Sequence, residues 1–242
     1  VGVLMLRGGL PAAAAGAALA DIAEACIAAL QPAVEAEFAR QHGKVPGGAM
    51  AVAAFGKLGG REMTVTSDLD LILLWDAPEK VEQSDGAKPL PVSLYYQRLA
   101  QRLINAVTAP TGEGRLYEID LRLRPSGSKG PIATNLDGFV KYQHNEAWTW
   151  EHQALTRARP LTGPPALQKR IAAAIREVLV KQRDAAKLAH DVADMRERMA
   201  HEHAAKRPWD IKHWRGGLVD IEFIADRKST RLNSSHGYIS YA

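Results

Sequence analysis

At 242 residues and 46% hydrophobic content, the chain can bury a sizeable core as one or two domains. Its single cysteine, Cys26, excludes an internal disulfide framework, no Cys/His spacing points to zinc, and a reducing cytoplasm is the expected compartment. Three of the four surplus positive charges, Arg227, Lys228 and Arg231, lie in the acid-free stretch 227–242; the body is left at +1 and demands no nucleic-acid partner.

Arg7 followed by an Ala-rich stretch imitates a secretory signal. The uncharged run from Gly8 to Ala20 is too short to span a bilayer, and Asp21 and Glu24 interrupt it, so no membrane association is expected. Ile22, Cys26, Ile27 and Leu30 recur at helical spacing, which predicts an amphipathic helix over 17–40. The chain opens on Val1 rather than Met and reads as a fragment. Residues 1–44 form an N-terminal helical segment, and Gly43, Pro46, Gly47 and Gly48 supply a linker to the first strand.

Ala51 to Phe55 and Asp68 to Trp75 are apolar runs that read as buried strands. Side chains alternate along a strand, so Asp68 and Asp70 project together while Leu69, Leu71, Leu73 and Trp75 cover the other face. At about 3.3 Å per residue their α-carbons stand about 6.6 Å apart, and the carboxylates can converge in front of the sheet. Two such charges repel by about 4 kcal/mol at 4 Å with an effective dielectric near 20, so a cation is expected between them. Mg²⁺ suits an all-oxygen site shared with phosphates. Between the strands, Gly56-Lys57-Leu58-Gly59-Gly60 offers close backbone approach, a helix start and a positive charge to an anion.

Gly56-Lys57, ten residues, then Asp68-Leu69-Asp70 resembles the signature of the polymerase-β-like nucleotidyltransferases. The longer string Gly-Lys-Leu-Gly-Gly-Arg-Glu followed by Ser-Asp-Leu-Asp-Leu-Ile is similar to the glutamine synthetase adenylyltransferase branch, where lysine replaces the usual small second residue, as Lys57 does here. The fold this implies is α+β, a polymerase-β-like mixed sheet with packed helices and flanking helical segments, with the nucleotidyltransferase domain over 45–163.

Asp76 to Pro91 has the composition of a surface loop, and Leu99, Leu103, Ala106 and Val107 mark a helix from Ser93 that ends at a turn over 110–114. Leu116 to Arg124 alternates: Tyr117, Ile119, Leu121 and Leu123 on one face, Glu118, Asp120, Arg122 and Arg124 on the other. By periodicity alone this is a half-exposed strand with a solvated charged face. The string Asp120-Leu121-Arg122-Leu123-Arg124-Pro125 also resembles the adenylyltransferases' Asp-x-Arg-Leu-Arg-Pro motif, whose aspartate is similar to the superfamily's third catalytic carboxylate. The resemblance therefore implies Asp68, Asp70 and Asp120 as catalytic residues and ligands of two Mg²⁺ ions, with Asp120 the candidate base. Gly56, Lys57, Gly59, Gly60, Ser67, Arg122 and Arg124 are the implied ATP-binding set; a guanidinium fork suits triphosphate oxygens.

Ile132 to Thr134 is expected to return antiparallel, followed by helices over 136–143 and 147–158. The string from Asn145 to Leu155 resembles the adenylyl-transferring half of the bifunctional family enzyme; within it Trp148 and Trp150 read as core or interface residues, and a supporting role for His152 is favoured over a direct one. Pro160, Gly163, Pro164 and Pro165 mark a boundary, with a truncated helical domain over 164–226. His201 and His203, two apart on a helix, do not share a face and read as surface. The Ser-rich stretch 227–242 looks like translated adapter sequence and is not counted in the fold.

The resemblance implies AMP transfer from ATP to a tyrosine hydroxyl of glutamine synthetase, controlled in the longer enzyme by a PII-type protein. Rival readings are phosphorolytic removal of that AMP, a nucleic-acid nucleotidyltransferase, which the near-neutral charge disfavours, and a non-catalytic nucleotide-binding module, which three retained aspartates disfavour.

Overall fold

The computed structural model describes residues 1–202 and 211–235 and has an α+β architecture built on a five-stranded mixed sheet. Its centre is the antiparallel pair β1 (Ala49–Ala54) and β2 (Leu69–Asp76), in register from Ala49↔Asp76 to Ala54↔Leu71. Ala51 to Ala54, Leu69 and Leu71 to Leu74 are all nearly inaccessible. A strand covered on both faces needs such an unbroken apolar run. Leu69, Leu71 and Leu73 share one core cluster with Ile27 and Phe38 of α2 (Ala12–His42) and with Tyr95, Leu99 and Leu103 of α4 (Val92–Thr108). A short helix, α1 (Gly2–Leu6), precedes α2.

The buried stripe of α2 runs through Ala20, Ala23, Ile27, Gln31 and Phe38, while Ile22 is 47% exposed. Ile22 therefore lies off the face that the apolar spacing assigned to it. By length and composition alone α2 could cross a membrane. Here its Ala23, Ile27 and Phe38 are core residues, and its Asp21 and Glu24 are ion-paired. The loop after β2 is pinned to the end of α2: Asp85 accepts the Lys44 N–H at 2.6 Å, and the Gly86 N–H donates to the His42 carbonyl at 3.1 Å. A Cβ on Gly43, whose φ is +67°, would fall 2.2 Å from the Gly86 nitrogen, so only glycine fits that crossing.

The far edge of β2 is shared. Its beginning pairs in parallel with β3 (Ile119–Asp120) and its end, also in parallel, with β4 (Ala133–Asn135). Two expectations are corrected here. The strand predicted over Leu116–Arg124 is paired only at Ile119–Asp120, because the Asp120 carboxylate takes the Arg122 N–H and the Arg124 N–H turns back to the Leu121 carbonyl. The segment after it does not return antiparallel either. Residues 121–132 loop out, with Ser126 at φ +62°, and the chain rejoins the same edge of β2 in the same direction. On the other side of the sheet, β5 (Arg159–Pro160) pairs with β1.

The chain divides into two compact units, residues 1–142 with 157–173, and residues 143–156 with 174 onward. The N-terminal segment 1–44 is thus integral to the sheet-bearing unit. Leu136–Asn145 (α5) follows β4 in the chain, and Pro165–Val180 (α7) follows β5. In the second unit α6 (Thr149–Leu155), α8 (Ala185–Glu202) and α9 (Leu218–Ser235) pack on one another, tied by Thr149–Asp191 at 2.5 Å and an Arg196–Asp220 ion pair. Trp148 is 64% exposed and so is no core residue; its backbone N–H is held by Glu151 at 2.8 Å. The His152 ring meets the Gln143 carbonyl at 2.8 Å, and burial lowers its pKa. His201 is exposed, and His203 lies outside the described residues. The backbone of α9 continues through residues 227–235, the first part of the Ser-rich stretch.

Candidate active site

Asp70 and Asp120 stand directly opposite each other in the parallel β2–β3 register. Partners in a parallel pair present their side chains on the same face, with strands about 4.8 Å apart. Asp68, two residues before Asp70 and exposed, precedes β2 on that same alternation. The three carboxylates thus gather at one end of the sheet rather than on opposite sides of it.

Gly56 supplies the floor beside them. It opens α3 (Gly56–Gly59) at φ +53°, and a Cβ there would fall 2.1 Å from Oδ2 of Asp70. Both the left-handed conformation and the approach of the carboxylate require glycine. Gly59 is tight for another reason: a Cβ would meet the Arg157 carbonyl oxygen at 2.0 Å, so this glycine serves packing. At Gly60 the nearest atoms are 3.4 Å from a Cβ, and the space is not restrictive. Lys57 is exposed in the same short helix. Ser67 is engaged locally, its hydroxyl accepting the Thr64 N–H at 2.9 Å.

The charges are unevenly balanced. Burial, reinforced by Asp120 and Asp68, pushes the Asp70 carboxyl above its ordinary range, while Arg122 and Arg157 pull against the shift. Asp120 moves the opposite way, held low chiefly by the Arg122 side chain. One Asp120 oxygen, Oδ2, accepts Nε of Arg122 at 2.8 Å together with Nη2; the other, Oδ1, accepts the Arg122 backbone N–H at 2.8 Å. Among the described residues no three His, Cys, Asp or Glu side chains are set to hold a metal ion as they stand. The Asp120 carboxylate is engaged by Arg122 instead. The donor set nonetheless suits a hard cation: three carboxylates on one face, with Asp70 carrying charge that its neighbours do not neutralise.

Arg124 stands apart from Arg122. Its Nη1 donates to the Leu121 carbonyl at 2.8 Å, Nη2 to Ser128 at 3.1 Å and Nε to Gly130 at 3.3 Å. With all three nitrogens so engaged, it folds the turn rather than offering a fork to phosphate. Arg157 and Arg159 do belong to the site's surroundings, although the sequence pattern reads Arg157 as part of a helix over 147–158 and Arg159 only as the neighbour of a boundary at Pro160. Arg157 acts electrostatically on Asp70. Arg159 donates to the Gly59 carbonyl at 3.2 Å and the Leu58 carbonyl at 3.5 Å, and pairs with Glu24 of α2 at 2.8 Å. Arg61 pairs with Asp21 of α2 at 2.7 Å, so α2 braces the glycine turn at two points. Arg159→Met is expected to lower stability by about 1–3 kcal/mol, since it leaves a half-buried carboxylate and two carbonyls without their donor; an unshifted urea midpoint would show that the brace carries no weight. Alternating arginines ahead of Pro160 were the available signal for this pair.

The family model for glutamate-ammonia ligase adenylyltransferase matches residues 1–174. The chain belongs to that family. Among its relatives, the bifunctional glutamine synthetase adenylyltransferase/adenylyl-removing enzyme of Brucella suis biovar 1 is 54% identical over 225 residues, and the enzymes of the same name from Mesorhizobium japonicum and Rhizobium meliloti are 53% and 51% identical. Each match covers 93% of this chain but 23% of the relative's length. Members of the glutamate-ammonia ligase adenylyltransferase family are nucleotidyltransferases by name, which agrees with a site built of a glycine turn and acidic strand ends.

Proposed function

We propose that this chain carries the adenylyl-transferring centre of a longer bifunctional enzyme, moving AMP from ATP to a tyrosine hydroxyl of glutamine synthetase with release of pyrophosphate. The observation that supports it most is Asp120 abreast of Asp70 on one face, beside the glycine that admits the Asp70 carboxylate. Asp68, Asp70 and Asp120 would hold two Mg²⁺ ions, which when bound polarise the attacking oxygen and neutralise the departing pyrophosphate.

The chain's own residues do the rest. Lys57 and Arg122, both exposed at the site, offer positive charge to the triphosphate. In-line attack at the α-phosphorus is then a matter of positioning. A tyrosine hydroxyl, with an ordinary pKa near 10, must lose its proton. Sequence resemblance assigns that task to Asp120.

Transfer is favoured over removal by the Trp-rich string from Asn145 to Leu155; removal remains the second reading because the relatives' name carries both activities. The reading places the protein in the cytoplasm, under a PII-type partner in the longer enzyme, without nucleic-acid or membrane attachment. Mixing the chain with glutamine synthetase, ATP and Mg²⁺ should add AMP to a tyrosine, detected by mass spectrometry. Release of ADP from adenylylated glutamine synthetase in phosphate, with no forward labelling, would reverse the assignment.

A further inference from the structure

Resting on the reading of Asp120 as a cation ligand, we infer that Arg122 is a built-in counter-ion that keeps Asp120 from divalent cations until a triphosphate draws the guanidinium away. The two Asp120 oxygens are held differently. Oδ1 is fixed by the Arg122 backbone N–H, a bond that closes the turn ending β3, whereas Oδ2 is held only by the guanidinium through Nε and Nη2. The Arg122 side chain is 83% exposed while that of Asp120 is 17% exposed. The guanidinium can therefore leave without unpacking anything, and the carboxylate stays aimed by its backbone contact with Oδ2 released. Arg122 also feels Asp70 and Asp68, so it sits in the field of all three carboxylates and partly discharges the repulsion that a cation would otherwise relieve.

A triphosphate is the natural competitor for that fork. It offers several anionic oxygens in the planar spacing that a guanidinium grips in pairs, against the single oxygen Oδ2 of Asp120. Guanidinium transfer from carboxylate to phosphate frees Oδ2 at the moment nucleotide arrives, so cation and nucleotide each strengthen the other's binding, as linkage requires. Metal ions offered without nucleotide meet a site whose third ligand is already engaged.

The test is a titration of the full chain with Mn²⁺, following free Mn²⁺ by electron paramagnetic resonance without nucleotide, for wild type, Arg122→Gln and Arg122→Lys. Circular dichroism confirms that each is folded. Removing an exposed ion-pair partner is expected to tighten Mn²⁺ binding about fivefold in Arg122→Gln. Arg122→Lys should also bind more tightly than wild type, because one ammonium cannot reproduce the forked contact on Oδ2. With an ATP analogue carrying a methylene bridge between the α- and β-phosphorus, wild-type binding should tighten and the advantage of the variants should shrink. Equal affinity in wild type and Arg122→Gln overturns the inference. A gain in Arg122→Gln with none in Arg122→Lys reduces the effect to bulk charge and overturns it too. If no form retains Mn²⁺ beyond what the analogue alone binds, the metal reading falls and takes the inference with it.

Discussion

Asp70→Asn is expected to reduce AMP transfer by on the order of 10³-fold or more and, at the same time, to make the protein harder to unfold. The first effect comes from removing the central carboxylate of the group. The second comes from its environment: burial and the adjacent Asp120 raise the Asp70 pKa in the folded protein, so its ionised form at neutral pH opposes folding. An asparagine keeps the shape and removes the charge. Solvent reaches this carboxylate and screens part of the penalty, so the gain is a modest one. A higher Tm than wild type should be seen by calorimetry in metal-free buffer at pH 7. The sign of the pH dependence is fixed. A folded pKa above the unfolded one contributes stability below the unfolded value and loses it as pH rises through the folded value, so the gap between variant and wild type should close in acid. Asp120, shifted down, contributes in the opposite sense and is common to both proteins. A variant less stable than wild type at pH 7 would show that the Asp70 charge does not oppose folding.

Gly56→Ala is the second large effect. The backbone there has φ +53°, which costs an alanine about 1–3 kcal/mol, and the new methyl would overlap Oδ2 of Asp70. Either the turn opens or the carboxylate rotates, and both dismantle the site. A loss of about 2 kcal/mol in urea unfolding is expected, with transfer falling to roughly a hundredth of the wild-type rate or below. The coupling is checked with Asp70→Ala: in that background the clash with Oδ2 is gone, so Gly56→Ala should cost measurably less. Strict additivity of the two changes would mean that the glycine and the carboxylate do not touch.

Much of the architecture was legible in the sequence because its signals are local. The apolar runs at 51–55 and 68–75 announce strands buried on both faces, and Asp68 and Asp70 announce themselves as charges that such strands cannot bury freely. What escaped depends on side chains that redirect the backbone. Alternation predicts a nine-residue strand from Leu116, but Asp120 captures the Arg122 N–H and Arg124 seizes the carbonyls of its own turn, so a strand pattern becomes two paired residues and a loop. The apolar spacing in α2 misleads at Ile22 because the helix docks through alanines, whose small side chains carry little weight in a periodicity count. The bracing of the glycine turn by Arg159 joins residues a hundred positions apart, and the alternating arginines ahead of Pro160 mark the residue without naming its distant partner.

Since β3 and β4 occupy successive stretches of one lane beside β2 and run the same way, the stretch between them is a detour with both ends moored. Remodelling of the detour leaves the mooring points where they are. The arginine that grips Asp120 thus travels on a stretch that Leu121 and Ile132 anchor to the core at either end, while its own guanidinium stands in solvent.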